Sequence, residues 1–333
     1  MQRLCAAILL LLLTLPAGAA AAGAGGFDRW KTQFAAKLKR KGFDQPAVNL
    51  FLASAYYVGK PIAAQRRQPE KISRFADYRR LVLTPARIAD GQLYLRDYRQ
   101  FYTELGGRYG IEPQLLVALW GIESSYGKIM GKHPIIPSLA SLAYAGRRRE
   151  FFEQQLIAAV RIAARGDMPV ERMTGSWAGA MGHYQFIPTT FERFAVDGDD
   201  DTRRDLCGSY ADAASSAGNY LHQLGWQPGD ARIVAVDAQK GRGLLAREGK
   251  KAAYRTAAHW RAVGLLPEGY PDQTAPLKLV GVDDGRSGCY LVGEGFDRLK
   301  EWNRSTYFAL AVLLLAEQLA EPAVPVPAAL PPP

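Results

Sequence analysis

The chain has 333 residues, about three hundred once an N-terminal export signal is set aside, more than a single core usually holds, so two packed lobes are expected. Its formal net charge of +10 suits an anionic partner, whether nucleic acid, a membrane surface or a carboxylate-bearing cell wall. The basic residues fall in short clusters (Lys37 to Lys41, Arg147 to Arg149, Arg203-Arg204), so charge alone does not choose among these partners.

The start of the chain narrows them. Met1-Gln-Arg3 is a short basic segment, Ala6 to Leu13 is apolar, and Leu15-Pro-Ala-Gly-Ala-Ala20 supplies the small residues a signal peptidase accepts. A signal peptide over residues 1–22 is therefore expected, with an apolar run too short to span a bilayer. Cys5 precedes that run, whereas a lipid anchor needs a cysteine directly after it, so no lipid anchor is expected. Export also argues against a nucleic-acid partner. Cys207 and Cys289 then remain, able to close one loop of about eighty residues worth roughly 4 kcal/mol, or to stay as two separate buried thiols.

From Phe27 to about Gly127 the pattern is helical, with Phe27, Trp30 and Phe34 near helical spacing. The stretch from Pro61 to Pro85 reads as a loop with short helices, and Leu93 to Tyr109 as one helix. The clearest helix starts at Pro113 and stops near Gly127. Leu116, Leu119 and Glu123 share a face of it, which puts a carboxyl group at the C-terminal end of an apolar stripe. Helical spacing resumes over Glu150 to Ala164 and Asp212 to Leu224, while Gly175 to Gly182 is a tight small-residue loop. Ile233 to Val236, Leu277 to Val282 and Cys289 to Val292 read as strands of a small antiparallel sheet, in a β subdomain over about 228–300. A last helix covers Ser305 to Glu317, and a Pro-rich tail occupies residues 320–333.

Glu123 is the first local anomaly to explain. Desolvation on an apolar face disfavours the charged carboxylate, and the negative end of the helix dipole acts in the same direction. A carboxyl group still protonated near neutral pH can protonate a leaving oxygen, an effect typically worth ~10²–10⁴-fold. The ordinary alternative is a glutamate at the stripe's edge that reaches solvent or an arginine.

Ala118-Leu-Trp-Gly-Ile-Glu-Ser-Ser-Tyr-Gly127, Gly175-Ser-Trp-Ala-Gly-Ala-Met-Gly-His-Tyr-Gln-Phe-Ile-Pro188 and Trp302-Asn-Arg-Ser-Thr-Tyr307 occur in that order. With Arg67-Gln-Pro-Glu70 and Gly146-Arg-Arg-Arg-Glu-Phe-Phe152, they resemble the membrane-bound lytic murein transglycosylase B family and its soluble relatives, from about Phe27 to Leu319. The resemblance implies a mainly α, α+β fold, a lysozyme-like helical lobe with a small antiparallel β subdomain. The implied reaction splits the β-1,4 bond between N-acetylmuramic acid and N-acetylglucosamine without water, forming a 1,6-anhydro ring, with Glu123 as acid and then base. No cofactor is implied for catalysis. The implied partner is the peptidoglycan glycan strand with its peptide stems, met by a soluble periplasmic monomer; other wall-synthesis enzymes are further candidate partners.

By the same resemblance Ser176, Gln185 and Asn303 contact the sugars, and Arg147 and Arg148 hold peptide-stem carboxylates, for which a guanidinium fork is suited. Phe186, Tyr220 and Trp302 are candidates for stacking on sugar faces, though lone aromatics are more often core. Asp197, Asp199 and Asp201 alternate as in the first half of an EF-hand loop, with Arg203 offering its carbonyl. Thr202 replaces the glycine of that pattern and Gly208 its bidentate glutamate, while the resemblance supplies Asp212 as the later acid. A structural calcium ion is the expected occupant, an acidic surface loop the alternative. The four histidines show no zinc pattern, and no nucleotide loop or G-x-S-x-G is present. A hydrolytic muramidase and a non-catalytic glycan-binding scaffold are the competing functions.

Overall fold

The computed structural model describes residues 26–67, 74–248, 253–270, 275–283 and 286–320. The expected signal peptide, the Pro-rich tail beyond Ala320, which itself ends the last helix, and most of the Arg67 to Glu70 motif lie outside them. The chain opens with α1 (Phe27–Arg40), α2 (Gln45–Ser54), α3 (Gly59–Arg67), α4 (Phe75–Val82), α5 (Pro85–Asp97) and α6 (Arg99–Tyr109). The middle holds α7 (Pro113–Ser124), β1 (His133–Pro134), α8 (Ile135–Ala145), α9 (Arg149–Ala164), β2 (Thr174–Gly175), α10 (Pro188–Phe194) and α11 (Tyr210–Gln223). The last third runs β3 (Ile233–Val236), α12 (Ala238–Glu248), α13 (Ala257–Ala262), β4 (Lys278–Val282), β5 (Gly288–Val292), α14 (Gly295–Trp302) and α15 (Thr306–Ala320).

Three helices are apolar on every side and form the interior. Every residue is buried from Leu115 to Ile122 in α7, from Ile135 to Tyr144 in α8, and from Phe308 to Ala316 in α15. α7 packs on α15 and α5, and α8 on α9. Pro113 occupies the first turn of α7, where its missing N–H is no loss. The helix expected over Leu93 to Tyr109 is instead two helices broken at Tyr98, whose ψ of 29° leaves the helical range. The break lets Leu93 and Tyr94 bury on one line and Tyr102 and Leu105 on another, with Tyr94 against Trp120 and Tyr102 against Tyr210.

The three expected strands form one antiparallel sheet in the order β3-β5-β4. Its alternation divides the interior. Tyr290 and Val292 of β5 join the main core, whereas Cys289 and Leu291 face a smaller cluster with Trp260, Leu277 and Leu279. A sheet covered on both sides is thus wedged between two cores. The arrangement also separates the cysteines, because Cys207 packs against the main core and Cys289 belongs to the smaller one. Both thiols are free, so the disulfide considered from the sequence does not form.

Candidate active site

The C-terminal end of α7 is held by an unusual turn. Ser125, Tyr126 and Gly127 take φ values of 52°, 61° and 78°, three left-handed residues in succession. For the two non-glycines this costs of order 1–3 kcal/mol each, so the surroundings must fix them. The Tyr126 ring folds back over Gly121, where a Cβ would come within 2.7 Å of it. The same ring packs on Tyr94 and Trp120, and its hydroxyl donates to the Arg87 carbonyl at 2.7 Å. Ser124 Oγ accepts from the Gly127 N–H and donates to the His183 carbonyl at 2.6 Å. The Trp120 indole N–H donates to His183 Nδ1 at 3.1 Å, and burial pushes that imidazole down to about 4, so it is neutral. The small-residue loop is thereby clamped to the helix that carries Glu123.

Glu123 is half-buried: it keeps access to solvent, yet protein surrounds the carboxyl closely enough for burial to raise its pKa from 4.5 to about 8. A hydrogen bond from Trp302 Nε1 to Oε1, at 2.8 Å, opposes that rise. Trp302 ends α14 and lies nearly parallel to Tyr220 at 4.7 Å, while Phe186 meets it edge-on at 5.2 Å. Tyr220 is also stacked on Phe194 at 4.0 Å, so aromatic rings cover both of its faces. Phe186 is only 2% exposed. Neither Phe186 nor Tyr220 has an open face for a sugar, and both instead support Trp302. Spacing cannot separate a cleft aromatic from the ring beneath it.

Ser176 is half-buried, and its Oγ accepts from the Ala180 N–H at 3.0 Å, shaping its own loop. Gln185, left-handed at φ 51°, donates its amide to the carbonyls of Met130 and Gly182, and its Oε1 accepts no hydrogen bond among the described residues. Asn303 is buried between α14 and α15, with Oδ1 accepting from the Ser305 N–H. Arg147 is exposed, and its backbone N–H donates to Gln65. Arg148 is half-buried with its guanidinium 4.1 Å over the Phe151 ring. Burial, and then the charge of Arg304, lower its pKa. Arg304 was not anticipated, although it stands inside the Trp302 to Tyr307 motif. It brings a second cation to Arg148, next in sequence to Asn303.

The acidic loop assembles only in part as expected. Carboxylate oxygens of Asp197, Asp199 and Asp212 all lie within 4.8 Å of one another. Calcium ligands sit about 2.3–2.6 Å from the ion, so oxygens on opposite sides of one ion are about 5 Å apart, and the trio fits. Asp212 is buried in the first turn of α11, and burial raises it to about 6 despite N–H bonds from Gly198 and Asp205. Asp201 stays exposed outside the trio, its Oδ1 accepting from the N–H of the equally exposed Arg203. Thr202 has φ 74°, the left-handed conformation that glycine supplies in an EF-hand. The donor set is all oxygen and anionic, as a hard cation requires.

The profile of the transglycosylase SLT domain family matches residues 26–317. Membrane-bound lytic murein transglycosylase B of Escherichia coli (strain K12) is 29% identical over 300 residues, 86% of this chain and 82% of that protein. SltB3 from Pseudomonas aeruginosa, solved with NAG-anhNAM-pentapeptide, is 34% identical with a TM-score of 0.78, over 88% of this chain and 79% of that one. The Escherichia coli lytic transglycosylase Slt35, solved with calcium, is 27% identical with a TM-score of 0.72, over 87% of this chain and 92% of that one. The chain belongs to this family of lytic murein transglycosylases, enzymes that cleave peptidoglycan. Among the described residues no helix is long and apolar enough to cross a membrane.

Proposed function

We propose that the enzyme cleaves the β-1,4 bond between N-acetylmuramic acid and N-acetylglucosamine without water. Glu123 protonates the leaving oxygen, and its carboxylate then takes the proton of the muramyl C6 hydroxyl as that oxygen closes on C1. One observation carries the reading: burial holds the Glu123 carboxyl group protonated near neutral pH, against the opposing hydrogen bond from Trp302. A retaining hydrolase would hold a second carboxyl group about 5–5.5 Å away, whose charge would raise the first still further. Among the described residues no second carboxyl group adds to the Glu123 shift.

Ser176, Gln185 and Asn303 supply polar contacts to the sugars around the bond, and Arg147 and Arg148 receive carboxylates of the peptide stem. SltB3 was solved with a muramyl pentapeptide fragment, a ligand that such cations suit. The working compartment is the periplasm, reached by cleavage of the N-terminal signal. Asp197, Asp199 and Asp212 hold a calcium ion that stabilises the loop before α11 and takes no part in the chemistry. Digestion of purified sacculi tests the reaction. Muropeptides one water lighter than hydrolytic products, found by mass spectrometry, are expected; reducing-end products would make the enzyme a muramidase. Intact sacculi that retain the protein would make it a scaffold.

A further inference from the structure

We propose that Trp302 is a positioning residue: its indole N–H holds Glu123 Oε1 as the acceptor oxygen and keeps the catalytic proton on Oε2. The inference rests on Glu123 being the acid of the reaction proposed above. An indole N–H donates and cannot accept, so the oxygen it contacts must offer a lone pair. In a neutral carboxyl group the carbonyl oxygen is the better acceptor. The 2.8 Å contact therefore selects Oε1 as carbonyl and Oε2 as hydroxyl. Oε2 makes no hydrogen bond among the described residues and is left for the glycosidic oxygen.

The contact also gains strength as the reaction proceeds. When Oε2 passes its proton to the glycosidic oxygen and the C1–O4 bond breaks, the indole N–H faces a carboxylate. A charge-assisted hydrogen bond is roughly twice as strong as a neutral one, so stabilisation grows where charge develops. Oε2 then takes the proton of the C6 hydroxyl as O6 bonds to C1, which restores the neutral acid without water. The donor is rigidly placed: Tyr220 stacks on the indole, and Tyr220 is itself backed by Phe194.

Other charged and titratable groups on the surrounding elements are engaged elsewhere. Arg87 of α5 donates to Ser125 Oγ and the Val82 carbonyl, and Asp90 pairs with Lys128. His183 accepts from Trp120, Tyr126 donates to the Arg87 carbonyl, and the Tyr220 hydroxyl donates to the Glu301 carbonyl. Tyr102 and Tyr210, on α6 and α11, bond to one another, and Tyr184 donates to the Leu116 carbonyl. Glu301 and Arg304 flank the indole in sequence and are exposed.

The test compares the mature enzyme with Trp302→Phe, which keeps a ring and loses the donor, and Trp302→Tyr, which restores a hydroxyl donor. On soluble glycan strands, Trp302→Phe should lower kcat about 10- to 100-fold with KM changed less than twofold. The alkaline limb of its kcat profile should move up in pH, because the carboxylate has lost a stabilising bond, and Trp302→Tyr should recover part of both. A raised KM with unchanged kcat, or equal behaviour of the two variants, would make Trp302 a packing or sugar-stacking residue. Independently of activity, the Trp302 indole proton resonance of the wild-type protein should shift over the pH range of that limb and stay constant in Glu123→Gln. An indole signal that ignores Glu123 ionisation would overturn the proposal even if the products are anhydro sugars. Reducing-end products with a titrating indole would instead overturn the reaction and leave the positioning intact.

Discussion

Glu123 combines two conditions that seldom coexist: a carboxyl group buried enough to stay protonated, yet open enough to meet a substrate. The cost falls on stability. With a pKa of 4.5 when unfolded and about 8 when folded, the group binds a proton more tightly in the folded chain. Its contribution is fully present below pH 4.5 and is lost as pH rises towards 8. At pH 7 the loss is on the order of 3 kcal/mol. Glu123→Gln removes it, so urea denaturation should find the variant close to wild type near pH 4.5 and increasingly more stable up to pH 8. A stability difference that does not change with pH would mean that the carboxyl group is not held neutral by its surroundings.

At the scale of elements, the loop before α11 shows how a departure from a motif can preserve its geometry. Thr202 stands where an EF-hand has glycine, yet it adopts the left-handed conformation, at a cost of about 1–3 kcal/mol for a non-glycine residue. Thr202→Gly should therefore raise stability by about 1 kcal/mol after its own entropy cost. Calcium should raise the melting temperature of both proteins, and Asp199→Asn should abolish that increment; an increment unaffected by Asp199→Asn would place the ion elsewhere. Spacing alone made Thr202 look like a defect, because it reports residue preference and not the conformation that neighbours enforce. Pro113 and the apolar run after it marked α7, and alternation marked β3, β4 and β5, since those signals are local. The break at Tyr98 depends on which partners Tyr94 and Tyr102 find, and the loss of open faces at Phe186 and Tyr220 on which rings cover them. Neither is written in spacing. Glu123 was legible as an anomaly on its stripe, but the indole that contacts it is 179 residues away in the chain.

In the whole molecule, the sheet and α7, which carries Glu123, meet through α14. β5 is buried on both faces, and α14 follows it closely, with Gly295 so near Trp226 that a Cβ would lie 2.5 Å from the ring. That packing fixes the direction of α14 and carries Trp302 to Glu123. The sheet thus helps to place Trp302 against Glu123. The most direct measurement of the account is turnover of purified sacculi by the mature protein and by Glu123→Gln, with binding and melting followed in parallel. Loss of at least about 100-fold in the rate of muropeptide release, with binding and fold retained, is predicted. Release by Glu123→Gln within a few-fold of wild type would contradict the account and place the catalytic acid elsewhere in the cleft.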